Sequence, residues 1–144
     1  MTVASILRSK ANEVHTILPW KSVREAIRQL GGPPRIGALV VTGGDRTLGI
    51  LTERDIVRGL TDYGSDLLEV PVEKIMSRKV PTCAPTDTVA RVMRIMTESR
   101  FRHLPVVYRG ELVGIVSIGD VVLARVKETE LEAAVLRDLV IARS

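Results

Sequence analysis

The sequence predicts an α+β fold built from two pseudo-symmetric copies of one small unit, each a mostly antiparallel sheet packed with two helices. Three observations predict it. The phrase Gly49-Ile50-Leu51-Thr52-Glu53-Arg54-Asp55 returns as Gly114-Ile115-Val116-Ser117-Ile118-Gly119-Asp120. Around it, helical and β-branched stretches follow one another in the same order twice, at an offset of about 66 residues. The 144 residues are 45% hydrophobic and 26% charged, which suits a chain that buries a core rather than a disordered one.

Each copy reads helix, strand, helix, strand, strand, helix. A short helix (Val3 to Leu7; Val72 to Met76) leads into an extended segment (Val14 to Ile17; Val80 to Cys83) that ends near Pro19 or Pro85. Ser22 and Thr88 are good N-caps for the next helix, in which Val23, Ile27 and Leu30, or Val89, Val92, Met93 and Met96, recur at helical spacing. In the first copy that helix stops at Gly31-Gly32-Pro33-Pro34. Two β-branched runs then form a hairpin, with Arg109-Gly110 as a tight turn in the second copy and a longer loop containing Gly43-Gly44 in the first. The last helix starts at the hydroxyl residue. One copy of about 60 residues closes its apolar faces poorly alone, so the two are expected to pack together. The expected division is 1–66, 67–126 and a helical extension over 127–144.

Composition excludes several function classes. Aromatic residues make up 3% of the chain, too few to stack single-stranded bases, and the net charge of +4 is spread among acids, so nucleic-acid binding is disfavoured. No run approaches the roughly 18 apolar residues that span a bilayer, and the N-terminus lacks a signal-like apolar core, so no membrane partner and a cytoplasmic location are expected. Cys83, the single cysteine, has no CxxC partner and reads as a small buried apolar residue. There is no HExxH, no P-loop and no GxGxxG after a strand, so no metal, no required cofactor and no catalytic role are expected.

The repeated phrase has two readings. Thr52-x-x-Asp55 and Ser117-x-x-Asp120 each fit a capping box, in which hydroxyl and carboxylate satisfy the amides of the first helical turn. The same geometry also suits a sugar phosphate: the helix start attracts phosphate, the hydroxyl can donate to it, and the aspartate can accept from both ribose hydroxyls. Gly49 and Gly114 would let a ligand or a neighbouring strand approach closely.

The doubled GILTERDIV and GIVSIGDVV, with RHLPVV before the second hairpin and the leading VEKIMSRKVPTCAPTDTVARVM, resembles a tandem pair of cystathionine-β-synthase (CBS) domains, a Bateman module, from about Val3 to Val126. The resemblance implies a disc-like module with two clefts that bind adenine-containing ligands: AMP, ADP, ATP or S-adenosylmethionine. One cleft would combine Thr52, Arg54 and Asp55 with Val80, Pro81, Thr82, Arg102 and His103. The other would combine Ser117, Gly119 and Asp120 with His15, Thr16, Ile17, Ile36 and Gly37. The first carries more cations, and charge-assisted contacts to phosphate are about twice as strong as neutral ones, so it is expected to hold the tighter nucleotide.

His15 reads as a half-exposed strand residue, Met76, Met93 and Met96 as core filler, and Trp20 as a rim residue. From Gly119 to Ser144 no Gly or Pro interrupts a helix with apolar Val126, Leu131, Val135, Leu136, Leu139 and Val140. An apolar face that the module cannot cover predicts a homodimer. The expected function is a stand-alone regulatory module that binds an adenine nucleotide and acts on its own dimer or on a regulated protein partner. The alternative is a ligand-free structural or partner-binding scaffold in which both motifs are caps.

Overall fold

From the N-terminus the chain forms α1 (Val3–Ser9), β1 (Thr16–Ile17), α2 (Val23–Gly31), β2 (Ala38–Gly43), β3 (Arg46–Thr52), α3 (Glu53–Tyr63), α4 (Val89–Ser99), β4 (His103–Tyr108), β5 (Glu111–Ser117) and α5 (Ile118–Arg143). These elements come from a computed structural model that describes residues 1–10 and 13–143; Ser144, the end of the expected long helix, lies outside the described residues. Ser22 and Thr88 cap α2 and α4 as their chemistry demands. The Ser22 hydroxyl accepts the Glu25 amide at 3.2 Å, and the Thr88 hydroxyl accepts the Arg91 amide at 3.1 Å. In the second hairpin Arg109 and Gly110 take positive φ values of 51° and 79°, the conformation that a two-residue turn with right-handed strand twist requires.

The chain packs as two compact units that interleave along the sequence. One, here the Thr52 unit, comprises Glu13–Val80 with Arg109–Val113; the other, the Ser117 unit, comprises Met1–Asn12, Pro81–Tyr108 and Gly114–Ser144. In the Thr52 unit β1 runs parallel to β2, and β2 pairs antiparallel with β3, Leu39 facing Leu51 and Val40 facing Ile50. Its core joins Ile17, Val23, Leu30, Leu39, Leu51 and Leu67. In the Ser117 unit Val3, Val89, Val92, Leu104, Val106, Val116 and Val121 are fully buried. β4 and β5 form a two-stranded sheet.

The interleaving has a specific cause in backbone hydrogen bonds. In the Ser117 unit the Val3 amide donates to the Asp87 carbonyl at 2.9 Å, and the Val89 amide donates to the Met1 carbonyl at 3.1 Å. In the Thr52 unit the Val72 amide donates to the Lys21 carbonyl at 2.8 Å, and the Val23 amide donates to the Val70 carbonyl at 2.9 Å. Aligned by the duplication, these are the same two bonds made twice. The leading segment of each copy thus docks on the cap of the other copy's helix, α1 beside α4 and Val72 beside α2.

Several local expectations need correction. Val72 to Met76 is not an α-helix: the 3₁₀ turn covers Val72–Lys74 only. The Ile75 and Met76 amides both donate to the Val72 carbonyl, after which Ser77 leaves to exchange backbone hydrogen bonds with Ile50 at 2.9 and 3.0 Å. The expected extended stretch from Val80 to Cys83 contributes one parallel bridge, Cys83 to Val106, and β1 is only two residues long. A 3₁₀ segment over Gly64–Glu69 follows α3 and buries Leu67, which reading by helical period had passed over.

No helix among the described residues is long and apolar enough to cross a membrane. At Gly49 the close neighbour is protein: an added Cβ would meet the Ser77 carbonyl oxygen and crowd the Met76 sulfur. Gly49→Ala is expected to lower stability by about 1–3 kcal/mol, read from urea unfolding, because the Ser77 backbone must move away from Ile50.

Candidate functional site

Each repeated motif sits where a strand hands over to a helix, β3 to α3 and β5 to α5, and each closes a capping box. The Asp55 carboxylate accepts the Thr52 amide at 2.9 Å and lies 3.3 Å from the Thr52 hydroxyl. The Ser77 hydroxyl donates to its other oxygen at 2.7 Å, and the Arg58 guanidinium lies 3.4 Å from it. Asp55 is 2% exposed, the one charged residue buried among the described residues. A buried carboxylate is tolerated only when its oxygens are occupied, and here they are.

The Ser117 motif is built alike but is more open. Asp120 accepts the Ser117 amide at 2.9 Å and returns its own amide to the Ser117 hydroxyl at 3.1 Å. Lys10 takes the place that Ser77 holds in the other unit: its ammonium donates to Asp120 at 2.7 Å and to the Ile115 carbonyl at 3.0 Å. The Asp120 side chain keeps 24% of its surface in solvent. Burial pushes its carboxyl up, but the Lys10 ammonium and the Ser117 hydrogen bonds outweigh this and hold it below the usual carboxylate range.

Arg102 and His103 enter this second group. The Ile118 amide, at the start of α5, donates to the Arg102 carbonyl at 2.8 Å. Burial lowers the His103 imidazole below its ordinary value; Asp120 pulls it up, while Lys10 and Arg102 push it further down. The Ser117 unit therefore gathers Lys10, Arg102, His103, Ser117 and Asp120 around one helix start. The same unit holds half-buried Pro81 and exposed Thr82. The Thr52 unit holds Thr52, exposed Arg54 and Asp55 at the start of α3, Thr16 in β1, Gly37 just before β2, and Val80.

Lys10 and Ser77 were missed by sequence reasoning. Both follow the leading segments but at different repeat positions: where Val3 matches Val72, Lys10 matches Lys79 and Ser77 matches Arg8, so the repeat carries no signal for them. Cys83 is buried, and its thiol is pushed up to about 12, first by burial and then by Asp87. Such a thiol is inert at neutral pH. Among the described residues no group of three His, Cys, Asp or Glu is placed to hold a metal ion.

The lowered His103 fixes the sign of a pH effect. A folded state that resists protonation has its full stability above the ordinary imidazole value of roughly 6.5 and loses it as pH falls through the lower folded value. Thermal unfolding of the wild type is expected to shift to lower temperature from about pH 7 to about pH 5, and His103→Gln is expected to flatten that slope. The depressed Asp120 acts lower on the scale: its contribution is present above about pH 4 and is lost on further acidification.

Comparison with known proteins places this arrangement. The family model described as the CBS domain matches residues 5–62 and again 72–127. The mitochondrial CBS domain-containing protein CBSX3 of Arabidopsis thaliana is 35% identical over 136 residues, 88% of this chain and 66% of that protein's length. The crystal structure of a CBS-domain containing protein from Agrobacterium tumefaciens superposes with a TM-score of 0.81 at 43% identity, covering 86% of this chain and 92% of that one. A CBS domain pair solved with 5′-methylthioadenosine and S-adenosyl-L-methionine has a TM-score of 0.74 at 25% identity, covering 90% of this chain and 98% of its own. With two matched copies, a shared fold and relatives at this level of identity, the chain belongs to the CBS domain family as a tandem pair.

Proposed function

We propose that the chain is a non-catalytic regulatory module that binds adenine-containing ligands, AMP, ADP, ATP or S-adenosylmethionine, in the cytoplasm. Residues 1–66 and 67–126 are its two repeats and 127–144 an extension. Binding acts by changing how two copies of the chain, or the chain and a regulated partner, pack. A ligand can do this only by favouring one arrangement over another.

The observation that carries this reading is the same hydroxyl and aspartate, at the start of a helix, built twice. At Asp120 three groups that can carry positive charge, Lys10, Arg102 and His103, lie in the same unit as a partly open carboxylate. That set suits a ribose with a phosphate or a sulfonium beside it. At the other motif Thr52, Arg54 and Asp55 are assigned the same roles. The adenosine ligands of the related pair described above support the class of ligand.

A second reading has its own observation. Asp55 is buried and its oxygens are already taken by Thr52, Ser77 and Arg58, as expected of a purely structural cap. Calorimetric titration with AMP, ADP, ATP and S-adenosylmethionine separates the two. Under the binding reading at least one ligand releases heat, Asp120→Ala abolishes that heat at its site, and the 2′-deoxy analogue binds about tenfold more weakly because one ribose hydroxyl is gone. Under the scaffold reading folded protein gives no heat with any of them.

A further inference from the structure

Lys10 follows the last residue of α1 in an extended conformation, with φ −123° and ψ 158°. Its ammonium is seated on two acceptors of the Ser117 motif, the Ile115 carbonyl at 3.0 Å and Asp120 Oδ2 at 2.7 Å. The same Oδ2 accepts the Ser117 amide at 2.9 Å. A carboxylate oxygen has room for about two donors, so Oδ2 is filled. Its two partners differ in kind. The amide is fixed by the backbone at the end of β5, whereas the ammonium stands on a flexible stem whose side chain keeps 29% of its surface in solvent.

A ribose that donates one hydroxyl to each oxygen of Asp120 needs a lone pair on Oδ2, and the ammonium is the partner that can yield it. Once displaced, Lys10 is a cation without its carboxylate, in a unit where it and Arg102 already act on His103 as positive neighbours. Leaving a partly buried charge unpaired is unfavourable. A neutral nucleoside brings nothing to receive it. A 5′-phosphate on the same ribose brings an anion, and charge-assisted hydrogen bonds to that anion replace those the ammonium gave up. The short contact at Asp55 is of another kind: the Ser77 hydroxyl, at 2.7 Å, sits on a residue tied to Ile50 by two backbone hydrogen bonds and does not withdraw alone.

The geometry points to Lys10 as an internal competitor for the ribose seat on Asp120, one that closes the site to neutral adenine nucleosides and yields to phosphorylated ones. This rests on the adenine-binding reading above and adds the ligand class that the Ser117 motif selects.

The test titrates the full chain with adenosine and with AMP by calorimetry, at the site whose heat Asp120→Ala removes. Wild type is expected to bind AMP about tenfold or more tighter than adenosine. Lys10→Met keeps an unbranched stem and removes the charge. It is expected to tighten adenosine about fivefold, the worth of a partly exposed ion pair, and to bring the two affinities together. Lys10→Gln makes the same measurement should methionine disturb folding, which circular dichroism reads for both variants. If the variant weakens AMP and leaves adenosine unchanged, Lys10 is a phosphate contact alone and the competition is overturned. An AMP-to-adenosine ratio equal to that of wild type overturns it as well, while heat from either ligand keeps the adenine-binding reading. No heat from any adenine ligand, with wild type or variant, overturns both.

Discussion

The fold depends on an exchange of leading segments between the two copies. Val72 donates to Lys21, and Val3 donates to Asp87; each bond ties the opening residues of one copy to the residue just before the cap of the other copy's helix. The exchange is energetically sensible. A unit of about 60 residues buries too little surface to be secure alone, and borrowing a helical turn from its twin closes both cores at once. Because Val3 and Val72 are both fully buried, neither unit is complete without a segment from elsewhere in the chain.

The same exchange supplies the side chains that distinguish the two motifs. In the Thr52 unit the borrowed segment delivers Ser77, a neutral donor, to Asp55. In the Ser117 unit it delivers Lys10, a cation, to Asp120. The two segments reach their aspartates with side chains from different repeat positions, so the two sites carry unequal charge. The difference in burial goes the same way: Asp55 is sealed into its unit, whereas Asp120 is held by a flexible ammonium and still reaches solvent.

Much of this architecture was legible because its determinants are local. Ser22 and Thr88 announce helix starts through chemistry confined to three residues, and Arg109-Gly110 announces a tight turn through its length and its glycine. The doubled glycine-to-aspartate phrase revealed the repeat and so the family. What stayed hidden is non-local. Nothing in the sequence around Val72 says that Lys21 will accept its amide, and the helix read there shrank to a 3₁₀ turn because Ser77 is drawn away to Ile50. Lys10 and Ser77 escaped notice for the same reason: Lys10 lies 110 residues and Ser77 22 residues from the carboxylate it serves. Gly49 was read as a place of close approach, and the neighbour that approaches is the Ser77 backbone.

Trp20 lies between two residues whose carbonyls hold the borrowed turn: Pro19 accepts the Glu73 amide at 3.1 Å and Lys21 accepts that of Val72. Its indole is 65% exposed, and it is the chain's single tryptophan. The indole emission of this protein therefore comes from the short stretch, Pro19 to Lys21, that receives the borrowed turn.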